Sequence, residues 1–212
     1  DEITALVTAA GDDSEWAVVI MIAYYTGARL RDCTQMQWEN VSLERAFITF
    51  TPGKTRRTGK VLTIPIHPEL LAFLGCQADR SEKPLKGFIC PDLGRRSTSG
   101  KSGLSESFKR IVNRAGLDTV TVQGKGHRKF SKRSFHSLRY SFNTVLANLG
   151  VAQELRVKLT GHSSFAMNDR YTKLPDRKLK DAINSMPLLS QTHENNGDYS
   201  TPDAENFSLT ES

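Results

Sequence analysis

Residues 15–25, EWAVVIMIAYY, constrain this fold more than any other stretch of the chain. Read at helical spacing, the run is apolar on every side and ends near Gly27. A helix of that kind is stable only when neighbours cover it all round. The chain must therefore build a core around it. Its 212 residues suffice for one substantial domain or two small ones, and 38% hydrophobic content suits an ordinary interior. No apolar run approaches the roughly 18 residues of a membrane-spanning helix.

Charge is the second constraint. The formal net charge is +6, but residues 190–212 hold five acids and no Lys or Arg, leaving 29 basic against 18 acidic residues before them. The stretch GKGHRKFSKR, residues 124–133, has Lys or Arg at five of ten positions and no acid. Such concentration points to a polyanionic partner. Cys33, Cys76 and Cys90 have no metal-ligand spacing, and an odd count makes a poor disulfide framework, so a reducing compartment is expected.

Helical patterns dominate the remainder. EITALVTAA reads as a short helix closed by Gly11, and LRDCTQMQW as a turn or two after the apolar helix. AFITFTP and VLTIPI are β-branched and aromatic, and the basic run GKTRRTGK between them predicts a hairpin with a long loop. Helices are predicted for PELLAFLGCQ, LSESFKRIVNRAG, residues 134–149 and AQELRVKLTG, with PDLGRRSTSGKSG as a loop and residues 119–133 extended. FAMNDRYTK and PDRKLKDAINSM also look helical. The fold class is thus mainly α with a small antiparallel β-hairpin or sheet, over residues 1–187. Residues 188–212 read as a flexible, acidic polar tail that cannot bury enough apolar surface to fold alone.

Several short motifs carry chemistry. In SFHSLRYSF, residues 134–142, His136 and Arg139 share one helical face while Phe135, Leu138 and Phe142 point to a core. They are either two water-facing polar groups or two donors aimed at one anion. YYTGARLRD places Arg29 after Gly27, LTGHSS places His162 after Gly161, and Tyr171 follows nine residues on. Each motif alone is common.

In this order and spacing, TGARLRD, FHSLRYSF, LTGHSS and the tyrosine resemble the catalytic domain of the tyrosine recombinases, the phage integrase family, over roughly residues 1–187. The resemblance implies that fold, and a recombinase or integrase that breaks and rejoins DNA through a 3′-phosphotyrosine without metal, nucleotide or other cofactor. It assigns Arg29 and Arg139 to the scissile phosphate, Tyr171 as nucleophile, His136 as base, and His162 to a phosphoryl oxygen or the same proton. Lys54, with Lys60 as runner-up, would protonate the leaving 5′-oxygen, and Asp32 would orient Arg29. The chemistry fits: planar guanidinium forks bind non-bridging oxygens better than ammonium point charges do, and a phenol of pKa near 10 needs a cationic site or a base. Arg56, Arg57 and Lys60 in the hairpin, and Lys125, Arg128, Lys129, Lys132 and Arg133 before His136, are expected to follow the DNA backbone.

The expected partners are double-stranded DNA and further copies of the chain, as a tetramer assembled through the C-terminal segment. The expected location is the cytoplasm of a bacterial, phage-bearing or mobile-element host, at the nucleoid. The start at DEIT, without Met or a leader, reads as a fragment lacking the family's N-terminal DNA-binding domain. Two other functions compete. A type IB topoisomerase shares the Arg, Lys, His and Tyr chemistry, but the H-x-x-R, G-H, Y spacing favours the recombinase. A degenerate DNA-binding module is disfavoured because every catalytic position is occupied. Two departures from the family pattern are Tyr140, where histidine is frequent, and Asn143, where a small apolar residue is usual.

Overall fold

The apolar run organises the structure as its composition demands. The computed structural model describes residues 2–11, 14–80, 85–98, 103–117, 121–123, 129–131 and 133–161, the two three-residue stretches by backbone alone. Helix α1 (Glu2–Ala10) leads into α2 (Glu15–Thr26), where Ala17, Val19, Ile20, Ile22 and Ala23 have no exposed surface. Ser14 caps α2 by accepting the Ala17 N–H at 3.2 Å. The helix ends at Gly27, whose left-handed φ of +63° lets its N–H reach the Ala23 carbonyl. A Cβ at Gly27 would stand 2.5 Å from Phe142 Cδ1, so this glycine also permits a close approach.

After α3 (Leu30–Thr34) the chain enters an antiparallel sheet of β1 (Val41–Ser42), β2 (Phe47–Phe50) and β3 (Leu62–Pro65), in that order. Ile48 pairs with Ile64 and Phe50 with Leu62; these four face inward while Thr49 and Thr63 meet at the surface, 3.2 Å apart. The segment joining β2 to β3 is more ordered than a long loop. Residues Gly53–Thr58 form 3₁₀ turns that stop at Gly59.

Helix α4 (Pro68–Asp79) follows, then α5 (Pro91–Thr98), where the sequence predicted a loop. The cause is remote. Glu15, at the start of α2, accepts the Asp92 and Leu93 N–H groups at 2.9 and 2.7 Å and so caps α5 from another element. Helix α6 (Leu104–Arg114), the paired strands β4 (Thr121–Gln123) and β5 (Lys129–Ser131), α7 (Phe135–Asn148) and α8 (Gln153–Thr160) follow. Helices α1, α3, α4, α5 and α7 all pack on α2. The predicted class, mainly α with a small antiparallel sheet, is the observed one. The predicted helices at 165–173 and 175–186 and the polar tail lie outside the described residues. Among the described residues no helix is long and apolar enough to cross a membrane.

Candidate functional site

The N-terminal end of α7 sets the site. Ser134 and Ser137 form a reciprocal capping box, with the Ser134 N–H donating to Ser137 Oγ at 3.0 Å. Phe135 then points inward to Trp16 and Phe108, with ring centroids 6.5 and 5.1 Å away, joining α7 to α2 and α6. This leaves His136 on the outer wall. Beside it opens a cavity of about 720 Å³ lined by Arg29, His136, Arg139 and Arg133 together with the α6 residues Ser105, Glu106 and Lys109. Three of the residues assigned from the sequence to the phosphate and its proton therefore share one hollow.

Arg139 does more than line it. The residue is only 3% exposed; its Nη1 donates to the Gly27 carbonyl at 2.5 Å and its Nη2 to the Thr160 carbonyl at 2.7 Å. One guanidinium thus joins the ends of α2 and α8, the two helix stops that sequence reading noted as TGAR and LTGH. Gly161, at φ +66°, closes α8 where a Cβ would fall 2.8 Å from Leu62 Cδ1. The three motifs are one physical object because Arg139 binds them. Asn143, the unusual residue one turn on, is also explained: it is fully buried and accepts a 3.4 Å hydrogen bond from Arg156, whose Nε donates to the Val151 carbonyl. Tyr140 points outward.

Burial of the His136 imidazole against the cavity wall, then the Arg139 and Arg29 charges, hold its pKa below the ordinary histidine value. The ring keeps much exposed surface by area, so the lowering reflects local exclusion of water, not full enclosure. The neutral ring, able to accept a proton, is the form present at pH 7. A histidine whose folded pKa is depressed contributes stability that is complete above the unfolded value near 6.5 and is lost as pH falls through the lower folded value. An NMR titration of the DNA-free chain, assigned with His136→Gln, is expected to place the His136 midpoint below 6.5. A midpoint at or above that value would contradict the arrangement.

Arg29 precedes α3 in an extended conformation without a side-chain capping bond, and its Nη1 lies 3.9 Å from Asp32 Oδ2. Lys54, Arg56, Arg57 and Lys60 are exposed on the β2–β3 segment and do not line the cavity. Arg56 instead lines a second hollow of about 680 Å³ with Arg31, Asp32, Gln35 and Gly53. Arg133 lies on the cavity and pairs with Glu2 at 2.6 Å; its hydrogen bond holds the Glu2 carboxyl below the usual range. Lys129 is placed in β5 by its backbone. His162, Tyr171, Lys125, Arg128 and Lys132 lie outside the described residues.

Sequence reasoning missed Arg31, Ser105, Glu106 and Lys109. The helical spacing of Leu104, Phe108, Ile111 and Val112 could have marked Ser105, Glu106 and Lys109 as outward-facing. It held nothing to say that this face closes the wall opposite His136. The described tyrosines, Tyr24, Tyr25 and Tyr140, do not line the cavity. Tyr25 donates its hydroxyl to Glu69, and burial and that carboxylate push its pKa up, away from phenolate chemistry.

Comparison with known proteins bears on the family and the fold. The family model described as the phage integrase family matches residues 1–178. The tyrosine recombinase XerA of Pyrococcus furiosus is 27% identical over 174 residues, 81% of this chain and 54% of that protein. Among solved structures, a XerA recombinase superposes with a TM-score of 0.64 at 22% identity, covering 89% of this chain and 62% of the other. The catalytic domain of bacteriophage HP1 integrase gives 0.60 at 24% identity, covering 91% and 95%. The fold is that of these catalytic domains. The chain spans between half and three-fifths of the length of the curated relatives it matches.

Proposed function

This chain belongs to the phage integrase family, and from that premise we propose that it is the strand-cleaving part of a site-specific DNA recombinase. The observation that carries the reading is the single cavity holding Arg29, His136 and Arg139. A phosphodiester is anionic, and attack on phosphorus spreads further charge over its equatorial oxygens. Arg139, with two nitrogens on backbone carbonyls, is a cation fixed in orientation, so little reorganisation accompanies the reaction. Arg29 supplies the second fork. In this reading Tyr171 Oη forms the bond to phosphorus as the bond to the 5′-oxygen breaks. The phenolic proton goes to neutral His136 with the help of His162, and Lys54 gives a proton to the 5′-oxygen. The 3′-phosphotyrosine keeps the energy of the broken bond until a 5′-hydroxyl of another strand attacks it.

By the same premise, copies of the chain assemble on double-stranded DNA as a tetramer through residues 176–186, at the nucleoid of the host cell. Lys109 then faces a phosphate from α6. Lys109→Ala is expected to weaken binding alike on all sequences and to lower the slope of log affinity against log salt by about 0.9, one phosphate contact. An unchanged slope would remove Lys109 from the interface.

The test of the function is covalent capture. The chain is incubated with a library of nicked duplexes that trap the cleaved strand, denatured, and digested, and the DNA-linked peptide is identified by mass spectrometry. A phosphodiester on Tyr171 supports the reading, and the recovered DNA defines the site. Linkage to another residue, or none from a chain extended to its relatives' length, would overturn it.

A further inference from the structure

The Asp32 carboxylate touches two parts of the proposed machinery. Its Oδ2 stands 3.9 Å from Arg29 Nη1, the outer limit of an ion pair, while Oδ1 accepts the Gly53 N–H at 2.8 Å across 21 residues of sequence. The shorter contact is a charge-assisted hydrogen bond, about twice as strong as a neutral one. The Asp32 side chain is 8% exposed, whereas Gly53, Lys54 and residues 56–60 are all exposed. Gly53 is the residue before Lys54 and begins the 3₁₀ turns, which the Thr55 N–H to Pro52 carbonyl bond (3.0 Å) and the Thr58 hydroxyl to Thr55 carbonyl bond (2.8 Å) hold in shape. Fixing the Gly53 nitrogen therefore fixes where Lys54 leaves the backbone.

We propose that Asp32 is the positioning residue for Lys54. Through Gly53 it sets the loop that carries the leaving-group acid in register with the guanidinium that holds the phosphate. This rests on the reading of Lys54 as the acid and adds to Asp32 a role beyond orienting Arg29. In the step concerned, the Tyr171 Oη–phosphorus bond forms, the phosphorus–O5′ bond breaks, and a Lys54 Nζ proton passes to O5′. A misplacement of about 1 Å can cost roughly 10²-fold, but only where a proton is needed. A 5′-sulfur in place of O5′ leaves as a thiolate, whose conjugate acid has a pKa of about 8.5, and needs no acid.

The experiment uses the chain with Asp32→Ala, Asp32→Asn or Lys54→Ala. Single-turnover cleavage is measured on the captured duplex synthesised with oxygen or sulfur at the scissile 5′ position. Lys54→Ala is expected to lose about 10²–10⁴-fold on oxygen and to recover on sulfur. Asp32→Ala should lose about 10²-fold on oxygen and likewise recover. Asp32→Asn keeps an Oδ1 acceptor for Gly53 and should stay closer to the parent. A second arm needs no DNA: amide hydrogen exchange over residues 53–59 should quicken in Asp32→Ala and not in Asp32→Asn. Equal loss by Asp32→Ala on both substrates, beside a rescued Lys54→Ala, would overturn the tether. So would unchanged exchange in Asp32→Ala. A Lys54→Ala chain that sulfur does not rescue overturns the acid assignment itself, and the tether with it.

Discussion

Arg139→Ala is expected to lower the unfolding temperature by on the order of 10 °C and, on the proposed function, to silence cleavage. Hydrogen bonds to a charged group contribute about 1.5–3 kcal/mol each, and this side chain donates to two buried carbonyls that nothing in an alanine replaces. The combined loss is roughly 3–6 kcal/mol, and in a chain of this size each kcal/mol moves the midpoint by about 2–4 °C. Thermal unfolding followed by circular dichroism reads the result directly. Arg139→Lys sharpens the comparison. An ammonium keeps the charge but cannot bridge Gly27 and Thr160 at once, so it should recover part of the stability and little of the chemistry. A midpoint unchanged in both variants would mean that the Gly27 and Thr160 contacts do not hold the helix ends together. On the proposed function, cleavage should fall by at least about 10²–10³-fold in either, the usual cost of removing one preorganised charge-stabilising donor.

The same residue explains what could be read from the sequence and what could not. His136 and Arg139 were legible because a three-residue spacing places two side chains on one helical face whatever the surroundings. Arg29 joined them through order and motif. The buried α2 was legible for a similar reason, since a run apolar on all sides has one stable destination. The features that escaped are those decided by distant partners. Helix α5 contains Gly94 and a Ser-Thr run and looks like a loop, but Glu15 caps it from 77 residues away. Strand β1 has two residues and exists through its pairing with β2. The wall formed by Ser105, Glu106 and Lys109 faces His136 because Phe108 packs on Trp16 and Phe135. Hydrophobic periodicity tells which face of a helix is buried, not which neighbour the other face meets. Asp32 shows the boundary within one side chain: its reach to Arg29 follows from sequence spacing, while its bond to Gly53 requires the fold.

Tyr171→Phe is expected to remove covalent linkage to DNA altogether while leaving affinity within roughly tenfold of the parent chain. The phenyl ring lacks the oxygen that would bond to phosphorus, and no amount of phosphate binding by Arg29 and Arg139 substitutes for a missing nucleophile. Binding draws on different groups. On the proposed function, the cations of the cavity and the basic stretches would meet the DNA backbone whether or not the hydroxyl is present, and the variant would forfeit at most one hydrogen bond, about 0.5–1.5 kcal/mol. The two quantities are measured separately, linkage on a denaturing gel and affinity by titration at fixed salt, because a shift in ionic strength alone would move the second. Residual linkage in the variant would mean that another side chain attacks. Loss of linkage and affinity in equal measure would mean that Tyr171 shapes the DNA-binding surface, and the nucleophile would have to be sought elsewhere.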